Sequence, residues 1–128
     1  MRRTALQSIY ELAQKDDRVI FIGSDLGPGT LDEFRQNLPE RFLMEGISEA
    51  NVIGLAAGLA LNGKVVYVNT IASFLTRRCF EQIVTDLCLQ NLNVRLIGKM
   101  RYDPGSIEWK DIEWSAPSQP HQPATATV

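Results

Sequence analysis

The chain is poor in cysteine and histidine, carries no excess of positive charge and has no long apolar run. Its 128 residues include two cysteines, Cys79 and Cys88, and one histidine, His121. No Cys-x-x-Cys pair occurs and His121 stands far off in a polar tail, so a zinc ligand set is missing. Thirteen Lys and Arg face fifteen Asp and Glu, a net charge of −2. Nothing there would displace counterions from a nucleic-acid backbone, and nucleic acid is not an expected partner. The longest apolar stretch, Val52 to Leu61, is too short to span a bilayer, so no membrane association is expected. Met1-Arg2-Arg3 has no apolar segment behind it, and the start reads as a gene start without a signal peptide. The two cysteines read as reduced, buried thiols, and the chain as cytoplasmic. They lie nine residues apart in one expected helix, which puts them on opposite faces and out of bonding range.

What is present is an alternation of strand and helix signals. Leu6, Ile9, Tyr10, Leu12 and Ala13 recur at helical spacing over residues 2–15. Val19-Ile20-Phe21-Ile22 is apolar on both faces, as a buried parallel strand is. Thr30-Leu31-Asp32-Glu33 fits a capping box that opens a short helix before Pro39. A short strand is expected over 41–44, a long helix from Ser48 to Leu61 closed by Asn62-Gly63, and a strand over 64–70. A third long helix is expected over 74–91, then a strand over 93–98. The order predicts an α/β fold, a mainly parallel sheet with flanking helices and right-handed crossovers.

The pattern stops near residue 98. Four of the six prolines and both tryptophans lie beyond it. Residues 1–98 therefore read as a partial domain, incomplete at its C-terminal end, and 99–128 as a divergent, Pro-rich, poorly ordered tail. The Trp109–Trp114 segment is compatible with an edge strand.

Several segments are candidates for chemistry. Gly23-Ser24-Asp25-Leu26-Gly27-Pro28-Gly29 follows a strand and precedes a helix, where α/β sheets place ligands. It is neither a dinucleotide fingerprint nor a phosphate loop, and taken alone an ordinary turn explains it better than a site does. Glu49 falls in the first turn of a helix, where its charge suits the dipole. Its neighbours Ile47, Val52 and Ile53 are apolar, a setting that also suits a carboxyl used in proton chemistry. Gly54-x-x-x-Gly58, with Ala56, Ala57 and Ala60, makes a small-residue face for close packing on a helix of this fold or of another subunit. Phe74 and Phe80 flank Arg77-Arg78 at a helix start and serve as core or as a ring platform. Adjacent arginines are usually solvated.

Together, Ile22-Gly23-Ser24-Asp25-Leu26, Glu45-Gly46-Ile47-Ser48-Glu49-Ala50-Asn51 and Asn69-Thr70-Ile71-Ala72-Ser73-Phe74-Leu75-Thr76-Arg77-Arg78 resemble the pyrimidine-binding domain of transketolase. The likeness is to the C-terminal subunit of split transketolases and covers about residues 2–98. It implies thiamine diphosphate as cofactor and transfer of a two-carbon ketol unit between sugar phosphates, as in the pentose phosphate pathway. It implies Glu49 as the catalytic carboxyl that hydrogen-bonds the aminopyrimidine and activates the cofactor. It implies Phe74 and Phe80 around the pyrimidine and Asp25 near the cofactor. No role is carried onto Arg77, where some transketolases have an aromatic residue.

Two departures qualify the resemblance. The family's Gly-Asp-Gly motif for magnesium and diphosphate is missing, so a diphosphate-binding N-terminal subunit is the expected partner, holding magnesium in an oligomer. After Gly98 the substrate-contacting stretch of the family is replaced by Lys99-Met100-Arg101-Tyr102-Asp103-Pro104, which reads as a truncation. Alternative readings are a truncated non-catalytic interaction module, or a fragment of deoxyxylulose-phosphate synthase or of the decarboxylating component of 2-oxoacid dehydrogenases.

Overall fold

A computed structural model of the chain describes residues 2–23, 29, 31–99, 113–115 and 125–127. The elements run α1 (Arg2–Lys15), β1 (Val19–Gly23), α2 (Asp32–Asn37), β2 (Phe42–Met44), α3 (Glu49–Leu61), β3 (Val65–Ile71), α4 (Ala72–Arg78), α5 (Phe80–Gln82) and β4 (Val94–Lys99). Two further strands follow, β5 (Glu113–Ser115) and β6 (Thr125–Thr127). One sheet has the order β2-β1-β3-β4-β5-β6. The first four strands are parallel, and β5 and β6 continue the sheet antiparallel. The fold is α/β, a mainly parallel sheet with flanking helices, as the alternation of signals predicts.

Every residue of β1 is buried, which explains its unbroken apolar sequence. Ile20 and Ile22 join Val66, Val68, Val94 and Leu96 beneath α3, α4 and the segment after α5. Val19 and Phe21 face the other way, toward α1 and α2. There Phe21 stacks on Phe42 at 5.3 Å and both meet Phe34, with Tyr10 of α1 closing the cluster. Arg41 pins this layer from outside: its Nη1 donates to the carbonyls of Ala13 and Asp16 at 2.7 and 3.0 Å, tying the entry of β2 to the end of α1.

One local expectation needs correction, and another falls partly outside the described residues. The short helix expected at 30–33 forms as α2, with Leu31 as its N-cap in the left-handed region at φ 60° and no side-chain cap bond; Thr30 of the capping box lies outside the described residues. The helix expected over 74–91 is broken at Cys79, whose φ of −137° is not helical. It resumes as α5 and widens into a π-helical stretch, Ile83–Cys88. Leu89 there donates to the carbonyl of Val84, five residues back, at 2.9 Å. A period count cannot see this break, because apolar residues continue through it.

The end of α3 follows its sequence. Asn62 is the C-cap, its side-chain amide donates to the Gly58 carbonyl at 2.7 Å, and Gly63 takes φ +80°. Gly54 and Gly58 are exposed, with no described atom within 4 Å of where a Cβ would stand. The small-residue stretch is thus divided: Ala56 and Ala57 are buried against the core of this chain, while no described residue covers Gly54 and Gly58. Among the described residues no helix is long and apolar enough to cross a membrane.

The turn between α1 and β1 is electrostatic. Arg18 donates through Nε and Nη2 to both Asp16 oxygens at 2.8–3.2 Å, and its backbone N–H donates to Oδ1 at 2.9 Å. These bonds hold the Asp16 carboxyl at about 2, below its ordinary 3.8. A carboxyl depressed in the folded chain adds stability above its unfolded value, and that stability is lost as pH falls through the folded value. Urea midpoints measured from pH 7 to pH 2 should therefore drop on the acid side in the native chain, and Asp16→Asn should be less stable at pH 7 and flatter between about pH 4 and pH 2.

Candidate functional site

Parallel strands bring their C-terminal ends to one edge of the sheet, and the loops that leave them form the usual ligand-binding side of such folds. Two of these exits build the site. The segment after β2 is held by the Glu45 N–H on the Gly23 carbonyl at 2.9 Å, and it leads into α3, whose first residue is Glu49. β3 runs without a loop into α4, which carries Phe74 and Arg78 one turn apart.

Glu49 is buried, only 6 % exposed, in the first turn of α3. A charge so placed needs a partner, and Arg78 provides it: Nη1 donates to Glu49 Oε2 at 3.3 Å. The guanidinium lies over the face of Phe74, 3.8 Å from the ring centre. Three side chains from two helices thus meet at one cation: an aromatic face over the guanidinium and a buried carboxylate on one of its N–H groups. Beneath them is a pocket of about 10 Å³, the room of a single water, lined by Glu49, Val52 and Leu75 from the helices and by residues 22, 23 and 68–70 from the strands.

The expected site residues are distributed unevenly. Glu49 and Phe74 come together, bridged by Arg78. Phe80 opens α5 beyond the break, is 56 % exposed, and makes no ring contact with Phe74. Asp25 lies outside the described residues. Arg78 has the sequence context of a solvated arginine, yet it is the residue that joins the other two. Its spacing of four from Phe74 is the available signal; its link to Glu49, 29 residues away, has none.

Two further buried groups adjoin the site. Cys79 lies under α4, its Sγ 3.3 Å from the Leu75 carbonyl. Burial, and secondarily the negative charge of Glu49, push its thiol from 9.0 up to about 11. Burial also raises the Cys88 thiol, and both cysteines are unpaired. Asn69 on β3 is 1 % exposed, and neither its Nδ2 nor its Oδ1 has a hydrogen-bond partner among the described residues. Alternation along β3 groups its side chain with Val65 and Tyr67, on the face away from Val68 and α3. Among the described residues no three His, Cys, Asp or Glu side chains gather as a metal site.

Both groups yield measurable expectations. An unpaired buried amide costs about 1–3 kcal/mol, so Asn69→Val should stabilise the isolated chain by up to that amount, read as a higher urea midpoint. The neutral Cys79 thiol contributes stability that is whole below its ordinary value of 9.0 and is lost as pH rises through about 11. Cys79 should resist a disulfide reagent at pH 8 until urea unfolds the chain, and Cys79→Ala should flatten the stability loss between those two pH values.

Comparison with known proteins places the chain in a family. A family model described as the transketolase pyrimidine binding domain matches residues 1–103. A 6-deoxy-6-sulfo-D-fructose transketolase subunit, SqwH, of Clostridium sp. (strain MSTE9) is 37 % identical over 106 residues, covering 82 % of this chain and 32 % of the relative. An apulose-4-phosphate transketolase subunit of Phocaeicola vulgatus is 36 % identical over 98 residues, 76 % of this chain and 31 % of the relative. A 1-deoxy-D-xylulose-5-phosphate synthase of Clostridium perfringens is 37 % identical over 91 residues, 70 % of this chain and 14 % of the relative. Among solved structures, a split-gene transketolase described as an inactive beta4 tetramer superposes with a TM-score of 0.68 at 35 % identity, covering 74 % of this chain and 32 % of that one. The chain spans about a third of the length of the transketolase subunits it matches. It belongs to the transketolase pyrimidine-binding domain family.

Proposed function

We propose that this chain supplies the pyrimidine-binding half of a thiamine diphosphate site in a transketolase-type enzyme, and that a second polypeptide supplies the diphosphate and magnesium half. The observation that carries this reading is that the buried Glu49 carboxylate and the ring of Phe74 both contact one flat nitrogenous group. An aminopyrimidine is itself flat, stacks on an aromatic face and offers ring nitrogen to a carboxyl. The side chains present therefore fit it, because a planar nitrogenous group already lies between them. The names of the relatives as subunits agree with a site shared between chains.

Thiamine diphosphate, when bound, supplies a carbon nucleophile able to cleave the bond beside a ketose carbonyl and carry the two-carbon piece to an aldose. The tasks of this chain are simpler. Phe74 offers a face that fixes the plane of the pyrimidine. Glu49, shielded from water, holds a proton in common with the pyrimidine ring nitrogen, and so sets the protonation state the cofactor needs. Val52 and Leu75 wall the pocket with apolar surface and keep that proton from bulk water. Phe80 and Asp25 take up their places around the cofactor in the assembled enzyme. The substrates are sugar phosphates, and the assembly is an oligomer of composite sites.

The test is ketol transfer from a ketose phosphate to an aldose phosphate by this chain mixed with a diphosphate-binding transketolase subunit, thiamine diphosphate and magnesium. Glu49→Gln keeps the shape and removes the proton, and should lower kcat by about 10²–10⁴-fold. A complex that forms equally well with both chains and turns over with neither would instead support the interaction-module reading.

A further inference from the structure

The Arg78 guanidinium makes two contacts, and both belong to the surface that the proposed pyrimidine needs. Its central carbon lies over the Phe74 ring, 3.8 Å from the ring centre, and it donates an N–H to the Glu49 carboxylate at 3.3 Å. A second flat group cannot enter that gap while the guanidinium fills it. The Arg78 side chain is 47 % exposed, so it can leave without repacking the core, whereas Glu49, at 6 %, cannot. We propose that Arg78 is a resident substitute for the aminopyrimidine: it occupies the ring position in the empty chain and must swing out for the cofactor to bind. The proposal rests on the reading of Glu49 and Phe74 as the pyrimidine site.

Physical reasoning supports an exchange rather than a fixed pair. Without the cofactor, Glu49 would be a buried charge with no partner, and Arg78 removes that penalty. With the cofactor present, the pyrimidine supplies the hydrogen bond and the stack, so the arginine is needed at neither. Arg78 therefore stabilises the empty chain and opposes the cofactor at once. Binding affinity is lowered by the fraction of chains in which the gap is already filled. This separates the proposal from a purely structural role. An arginine that only braced α4 against α3 would, when removed, weaken stability and binding together.

The experiment titrates 4-amino-5-hydroxymethyl-2-methylpyrimidine, the pyrimidine fragment alone, into the full chain by calorimetry. Arginine side-chain resonances are followed by NMR, and thermal melts are recorded without ligand. Arg78→Gln should melt at a lower temperature than the native chain yet bind the fragment about tenfold more tightly. Arg78→Lys, which keeps the charge but not the flat fork, should fall between them. In the native chain the Arg78 resonance should move to its solvent-exposed position as the fragment saturates. If fragment binding is lost in Glu49→Gln but is equal or weaker in Arg78→Gln, the exchange is overturned while the pyrimidine site stands. If the fragment binds neither the native chain nor Arg78→Gln, or binds Glu49→Gln undiminished, the site reading fails and the exchange falls with it.

Discussion

The pairing of β1 with β3 is the contact on which the rest of this chain depends. Five residues of β1 lie beside five of β3, from Val19 opposite Val65 to Gly23 opposite Asn69. β1 is buried throughout, and its four apolar side chains, Val19 to Ile22, strengthen the two cores in alternation. The pairing is parallel, so the chain must cross from one end of the sheet to the other between the strands. That crossover contains α2, β2 and α3. It delivers the N-terminus of α3, and with it Glu49, to the edge where β3 gives way to α4. The site is a product of this geometry: no single segment carries it, and its two halves meet because two strands share a direction.

A chemical tension is resolved at that meeting point. A carboxylate at the head of a helix is favoured by the local dipole and disfavoured by burial. The fold settles the matter with a cation from the last turn of α4, itself held by the ring one turn earlier. The charge of Glu49 is felt beyond this pair, since it adds to the burial that raises the Cys79 thiol. One buried carboxylate thus conditions an arginine, an aromatic ring and a cysteine from a neighbouring element.

Most of the architecture is legible in the sequence because it is written in periodicity. The unbroken run Val19–Ile22, the apolar spacing of α1 and the Asn62-Gly63 terminus each state their role locally. Glu49 is legible too, through the company of Ile47, Val52 and Ile53 and through the motif around it. What escapes is non-local or irregular. The break at Cys79 is hidden among apolar residues that suit a continuous helix. The left-handed backbone of Leu31 at the head of α2 leaves no mark in its residue type. Arg78 looks like one of two solvated arginines, because the choice of a partner 29 residues away leaves no trace in spacing. Asn69 reads as one more strand residue of its motif, and only burial reveals that its amide is unpaired among the described residues.

The two outer strands of the sheet, β2 at one end of the order and β6 at the other, are each three residues long. A neighbouring chain that docked strand to strand would find few backbone donors and acceptors to capture at either place. The central strands, long and apolar, are the segments prone to fibril-like stacking, and they are flanked on both sides by others. Lateral growth of the sheet from chain to chain is therefore poorly templated. Contact between the described part of this chain and another chain is thereby left to helices and loops, where recognition is set by side chains and not by the repeating backbone.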